Sequence, residues 1–254
     1  MSLRAGIICV CTLAALPATA SAQNLTLSPS VLELKGRAGQ TTTQTLTITN
    51  STSIELAFEI EVKDVIVRDG KRVFVNAGEV VGSIAATAVF SPKSLTVQPG
   101  LKGSAVVTVT LPAEAQSRAI VVMFRGTTKI PSGAKSSTAS LGTLMTFAMT
   151  QNFSLSPAPL AVVAQSTTQN TAFEQAFHND GTEPVVPKGI AVILDAAGAL
   201  AGKAPFESQR LLPGERLTLR SDYAGELASG TYRVLATFEY EGKSLTQTAT
   251  LIVR

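Results

Sequence analysis

Apolar residues recur at every second position along most of this chain, in short runs closed by glycine, proline and Asn/Asp turns. Only an extended strand sends successive side chains to opposite faces, so a period of two specifies half-buried β-sheet and excludes a helical bundle. In residues 41–50, Leu46 and Ile48 point one way while Thr45, Thr47 and Thr49 point the other. Phe58, Ile60 and Val62 share a face in residues 54–68, and Asp69-Gly70 turns that run into residues 71–75. Ala105, Val107, Val109 and Leu111 repeat the pattern up to Pro112. With Leu25, Leu27 and residues 31–34 at the start, and residues 119–128 and 143–155 at the end, these runs make about seven strands. That number fits an immunoglobulin-like sandwich.

A second, shorter set follows in residues 160–165, 171–178, 185–195, 215–221, 231–240 and 244–253. Tyr232, Val234, Ala236, Phe238 and Tyr240 alternate without a break, and Glu241-Gly242 reads as a tight hairpin turn. Between the two sets stands Ser156-Pro157-Ala158-Pro159. Two prolines cannot continue a ladder, so residues 156–159 are expected to link two domains, 23–155 and 160–254. The fold class expected is all-β: two tandem immunoglobulin-like β-sandwich domains after a cleaved signal peptide.

The leader is read from residues 1–22. Arg4 gives a positive start, an apolar stretch runs to Leu16, and Ala20-Ser21-Ala22 is the small-x-small pattern a signal peptidase cuts, here before Gln23. The apolar stretch is short for a membrane anchor. Cys9 and Cys11 both fall inside it, without the small residues that precede a lipid-modified cysteine. The exported chain therefore offers no thiol for a disulfide, a metal or nucleophilic chemistry. A periplasmic or secreted protein is expected, with no membrane span after the leader.

Enzyme chemistry lacks parts. The one histidine, His178, stands just before the Asn179-Asp180-Gly181 turn, where an exposed turn residue is the plain reading. Zinc sites need several His or Cys ligands. The acidic residues stand singly, without a calcium-loop pattern, and no glycine-rich phosphate loop occurs. A Ser-His-Asp set is formally available, but without a nucleophile elbow. Net charge is +3, with 15% charged residues and no basic cluster, which argues against nucleic acid. Sequons at Asn24, Asn50 and Asn152 carry little weight in a chain this rich in Thr and Ser. No cofactor, no metal and no catalysis are expected.

Binding surface is what remains. Residues 119–124 form an apolar run suited to a central strand buried on both faces. Residues 132–140 are small and polar without periodicity, and read as a long flexible loop. Beyond it Met145, Phe147 and Met149 take alternate positions on a last strand, which in such a sandwich lies at a sheet edge. Two readings stand side by side: these three fill the core of the first domain, or they form an adaptable surface for a partner.

Residues 24–155 resemble the first domain of the periplasmic pilus-assembly chaperones, the PapD-like family. The likeness is carried by residues 25–34 (LTLSPSVLEL), 45–51 (TLTITNS) and 91–100 (SPKSLTVQPG). Arg118, Ile130-Pro131, the polar stretch and the alternating strand follow in the same order. The second half is similar to paired immunoglobulin-like domains of Gram-positive surface proteins that bind WxL-type partners, through Gly198, Leu212-Pro213-Gly214 and Ser229-Gly230-Thr231-Tyr232. The resemblance implies a chaperone-like factor that binds client subunits by β-strand pairing in pilus or surface-structure assembly. Its exposed last strand would complete the client's fold, a role that falls by position on Met145, Phe147 and Met149. The family also anchors the client's terminal carboxylate with an Arg on the first strand and a Lys on the last strand of that domain. Here residues 28–34 and 143–155 hold no basic residue, and Lys35, Arg37, Lys129 and Lys135 lie only near them in sequence. The alternative is a structural or adhesive module of the cell envelope.

Overall fold

A computed structural model describes residues 25–129, 135–163 and 171–254. The expected leader and its cleavage site lie outside the described residues. Ten strands build the first sandwich: β1 (Leu25–Ser28), β2 (Val31–Lys35), β3 (Thr41–Asn50), β4 (Leu56–Arg68), β5 (Lys71–Asn76), β6 (Val89–Ser91), β7 (Ser94–Val97), β8 (Lys102–Thr110), β9 (Ala119–Lys129) and β10 (Lys135–Ala148). One sheet has the order β1-β3-β8-β6. The other runs β2-β10-β9-β4-β5, with β7 pairing the opposite end of β4.

Two of the crossings between the sheets fall at Ser-Pro steps. Ser28-Pro29 carries it from β1 to β2 and Ser91-Pro92 from β6 to β7, both through cis peptides. Proline has no N–H to give, so each ladder breaks there and the strand resumes on the facing sheet. The inward parity of β3 and β8 fills the space between the sheets with Leu46, Ile48, Ala105, Val107 and Val109. Phe58 and Phe124 meet edge to face at 6.5 Å in the same core, a geometry favourable to ring quadrupoles.

The second sandwich contains β11 (Leu155–Pro157), β12 (Ala161–Val163), β13 (Thr171–Asn179), β14 (Lys188–Leu194), β15 (Leu200–Pro205), β16 (Arg216–Tyr223), β17 (Gly230–Tyr240) and β18 (Lys243–Val253). Strands β11 and β12 pair the same strand, β13, whose other neighbour is β16; the facing sheet is β15-β14-β17-β18. Phe238 stands at the centre of its core, with Phe177 at 4.9 Å and Phe206 at 4.7 Å. The two hairpin turns read from sequence form as expected. Asp69-Gly70 has φ of 52° and 75°, and Glu241-Gly242 has 44° and 74°. Two successive positive φ values are what a two-residue turn between twisted strands requires, and glycine takes the second at no steric cost.

Two expectations need correction. Ser156 and Pro157 belong to β11, paired with His178 and Phe177, while Phe153 and Leu155 already lie in the second core. The prolines therefore interrupt the first edge strand of the second sandwich, where a missing N–H is tolerated. The connection between the sandwiches is residues 149–152. The stretch read as a loop over 132–140 is strand from Lys135 onward, paired to β9 with a bulge between Ser137 and Ala139. Backbone pairing along a long hairpin overrides a sequence that shows no periodicity of its own. Residues 130–134 lie outside the described residues.

Candidate functional site

Strand β10 has two different neighbours on its two sides. On one side it pairs antiparallel with β9 along most of its length, from Lys135 beside Lys129 to Thr146 beside Ala119. On the other, β2 pairs with it in parallel, but only from Leu144 beside Val31 to Ala148 beside Lys35. The last contacts of β2 upstream are the Leu144 N–H donated to the Ser30 carbonyl at 3.0 Å and the Thr143 hydroxyl donated to Pro29 at 2.7 Å. Residues 139–142 thus present their outer edge with no strand beside it among the described residues. Leu141 points inward here and is only half-buried against the first core, while Ser140 and Gly142 are exposed.

The side chains singled out from the sequence lie elsewhere. Met145 and Phe147 are both 0% exposed and belong to the core of the first sandwich; Met149 is half-buried against it. Met149 lies past the last β2 pair at Ala148, whereas burial counts against a partner-facing role for Met145 and Phe147. Their parity is that of Leu141 and Thr143, which faces the opposite sheet, and β2 closes the strand's edge just where they stand. Position on the last strand did not reveal which half of it is covered.

Below the free edge, the outer face of β9 is covered by the second sandwich. Leu212 packs on Val65, Ala119 and Val121, flanked by Val67, Met123 and Leu144. This explains why residues 119–124 are apolar on both faces. Ion pairs surround that apolar plug. Arg72 Nε donates to Glu215 Oε1 at 2.7 Å, and the Leu212 N–H donates to Glu215 Oε2 at 2.8 Å. Glu183 is fully buried and accepts from Arg118 Nε at 3.3 Å, from the Met149 and Thr150 N–H groups at 2.9 and 3.0 Å, and from the Thr150 hydroxyl at 2.7 Å. Arg210 meets Glu33 of β2, and Lys35 meets Glu241 at 3.3 Å. Sequence reasoning missed this joint. Its only signal was single charges set among apolar runs, at Arg118, Glu183 and Glu215.

A groove of about 570 Å³ opens between the sandwiches at the end of β2, lined by Lys35, Arg37, Gln40, Gln151, Glu241 and Lys243 among others. Its cations come from the end of β2 and the β17–β18 turn, not from the strand centres where the family resemblance looked for them. Lys243 Nζ donates to the Phe153 carbonyl at 2.5 Å and Lys35 already pairs with Glu241, so two of the three are engaged.

His178 sits at the exposed end of β13, with Nδ1 2.5 Å from Asp180 Oδ1. The Ser156 hydroxyl donates to the other oxygen of Asp180. These two hydrogen bonds, Ser156 first, hold the Asp180 carboxyl below its ordinary range. The carboxylate stands between hydroxyl and imidazole, so Ser156 donates to Asp180 rather than to His178, the reverse of a base-activated nucleophile. Among the described residues no group of three or more His, Cys, Asp and Glu side chains is placed to hold a metal ion, and no helix is long and apolar enough to cross a membrane.

No protein-family model matches the sequence, and no curated protein matches it. Among solved structures, the chain is similar to fimbrial chaperones. The class 5 fimbriae chaperone CfaA matches at 16% identity and a TM-score of 0.46, covering 91% of this chain and 99% of that one. The Escherichia coli chaperone DraB matches at 13% identity and 0.42, covering 90% and 98%. A chaperone–tip adhesion subunit pre-assembly complex, CsuC–CsuE from the archaic Csu pili of Acinetobacter baumannii, matches at 9% identity and 0.43, covering 88% and 97%.

Proposed function

We propose that this chain is an exported, chaperone-like factor of the periplasm that holds subunits of a surface structure by β-strand pairing along the outer edge of β10. One observation carries the reading: β10 is paired along most of its length on its β9 side, yet over residues 139–142 its other side has no strand among the described residues. An unpaired row of N–H and C=O groups is a template for a further strand, and a guest strand there gains main-chain hydrogen bonds whatever its side chains. Leu141, inward-facing and half-buried at the rim of the core, supplies the apolar contact such a guest would cover. The client class is then an exported β-subunit that lacks one strand of its own, in keeping with the family likeness of residues 24–155.

The test separates edge from core on one strand. The chain is co-expressed with a tagged, exported β-subunit that lacks one strand of its own, and capture is measured for the wild type, Leu141→Asp and Phe147→Asp. Leu141→Asp is expected to keep the wild-type circular dichroism spectrum while losing at least ten-fold in client recovery. Phe147→Asp is expected to lose the fold itself, because it places a charge in a fully buried site. Normal client recovery by a folded Leu141→Asp protein would sink the proposal.

A further inference from the structure

Strand β2 continues the free edge of β10 and closes it, but its hold is thin. Five residues pair in parallel, an arrangement less stable per residue than antiparallel pairing. None of the five is fully buried: Leu32 and Leu34 are half-buried against the first core, and Val31 is 47% exposed. No strand flanks β2 on its far side among the described residues. Its other partners belong to the second sandwich. Glu33 meets Arg210, whose side chain is only 9% exposed, and Lys35 meets Glu241. A guest strand lying along residues 139–142 would run end to end with β2 and meet it at Thr143, where Pro29 and Ser30 stand.

From this geometry we infer that β2 is a displaceable strap that fixes where pairing along β10 must stop, held down by the second sandwich through Glu33 and Lys35. The inference rests on reading residues 139–142 as the client edge and adds a length limit to it. With β2 in place a guest strand pairs over residues 139–142. With β2 lifted, the open edge extends to Ala148. The second sandwich then acts on client binding without touching the client, by setting the population of lifted β2.

Hydrogen exchange with mass spectrometry on the full chain tests this in two arms. In the free protein, the double variant Glu33→Gln/Lys35→Gln is compared with wild type and with Arg125→Gln, which removes an ion pair with Glu61 inside the first sandwich. The Glu33 and Lys35 ends of these pairs are largely exposed, at 67% and 78%, which limits each pair to about five-fold in an equilibrium, so the double variant is expected to exchange roughly ten-fold faster in residues 31–35 and 144–148. Residues 41–50 and 102–110 should not change, and Arg125→Gln should leave β2 as it is. In the second arm, the co-expressed subunit is bound. Its protection of β10 is expected to stop near Thr143 in wild type and to reach Ala148 in the double variant.

Unchanged exchange in the free double variant overturns the strap while leaving the client edge standing. Protection ending at Thr143 in both proteins overturns the length limit. If the bound subunit protects no part of residues 139–142 in either protein, the client-edge reading falls and the inference falls with it.

Discussion

At Glu183 one carboxylate receives four donors, two from backbone, one from a hydroxyl and one from a guanidinium, with no access to water. Charge-assisted bonds of this kind are the strong ones, and their removal takes the acceptor from Arg118 Nε, which is largely buried, and from two N–H groups of the connecting segment. Glu183→Ala is therefore expected to lower stability by about 3–5 kcal/mol, the range for breaking a buried pair, and Glu183→Gln by less because an acceptor oxygen remains. Urea unfolding followed by circular dichroism reads both, and a loss under about 1 kcal/mol for Glu183→Ala would show that water replaces the carboxylate. Alternation was enough to read from the sequence that Met145 and Phe147 share a face. It could not say that the face is core, because parity labels two sides of a strand without telling which side the second sheet covers. Glu183 was illegible for the opposite reason: its donors come from residues 118, 149 and 150, and no local pattern brings them together.

Among elements, β3 and β8 were the most legible, since Leu46, Ile48, Ala105, Val107 and Val109 take inward positions and the outward ones are almost all Thr or Ser. The structure pairs these outward hydroxyls across the two strands: Thr41 with Thr110 at 2.9 Å, Thr43 with Thr108 at 3.0 Å and Thr47 with Ser104 at 2.9 Å. Threonine suits such a face because its β-branch fits a pleated surface and its hydroxyl finds a cross-strand partner. A double-mutant cycle on Thr43→Ala and Thr108→Ala is expected to give a coupling of about 0.2–1 kcal/mol, read from urea midpoints. A coupling indistinguishable from zero would mean that water satisfies each hydroxyl equally well. Short elements were harder. Strand β6, three residues long, and strand β15, with Gly202 in its middle, carry too little alternation to be seen and are fixed by their neighbours β8 and β14. The upstream half of β10 is the extreme case. Its pairing partner β9 determines it, and the sequence presented its residues up to Ser140, the first two of the proposed edge included, as a loop.

For the molecule as a whole, the decisive question is whether the two sandwiches move as one body. Domains joined by a short segment move relative to each other unless their interface is extensive and apolar. Here Leu212 is nearly fully buried against Val65, Ala119 and Val121 of the first sandwich, ringed by Arg72–Glu215 and Arg118–Glu183, and the Arg216 N–H donates to the Gly70 carbonyl at 3.1 Å. Burying one leucine contributes about 1.5–3 kcal/mol, enough to couple two units whose own stabilities are of ordinary size. Leu212→Asp replaces that contribution with a charge facing apolar side chains, whereas Leu212→Met keeps the volume and should cost under about 1.5 kcal/mol. The expected result is a single calorimetric transition for wild type and Leu212→Met, and two for Leu212→Asp, with a larger radius of gyration by small-angle scattering. If Leu212→Asp instead unfolds in one transition at an unchanged radius, the ion pairs alone hold the joint. The coupling matters for the proposed strap, because Arg210 and Glu241 can restrain β2 only while the second sandwich stays where Leu212 seats it. Leu212→Asp should therefore speed exchange in residues 31–35 as well, linking an apolar contact on one side of the joint to a strand edge on the other.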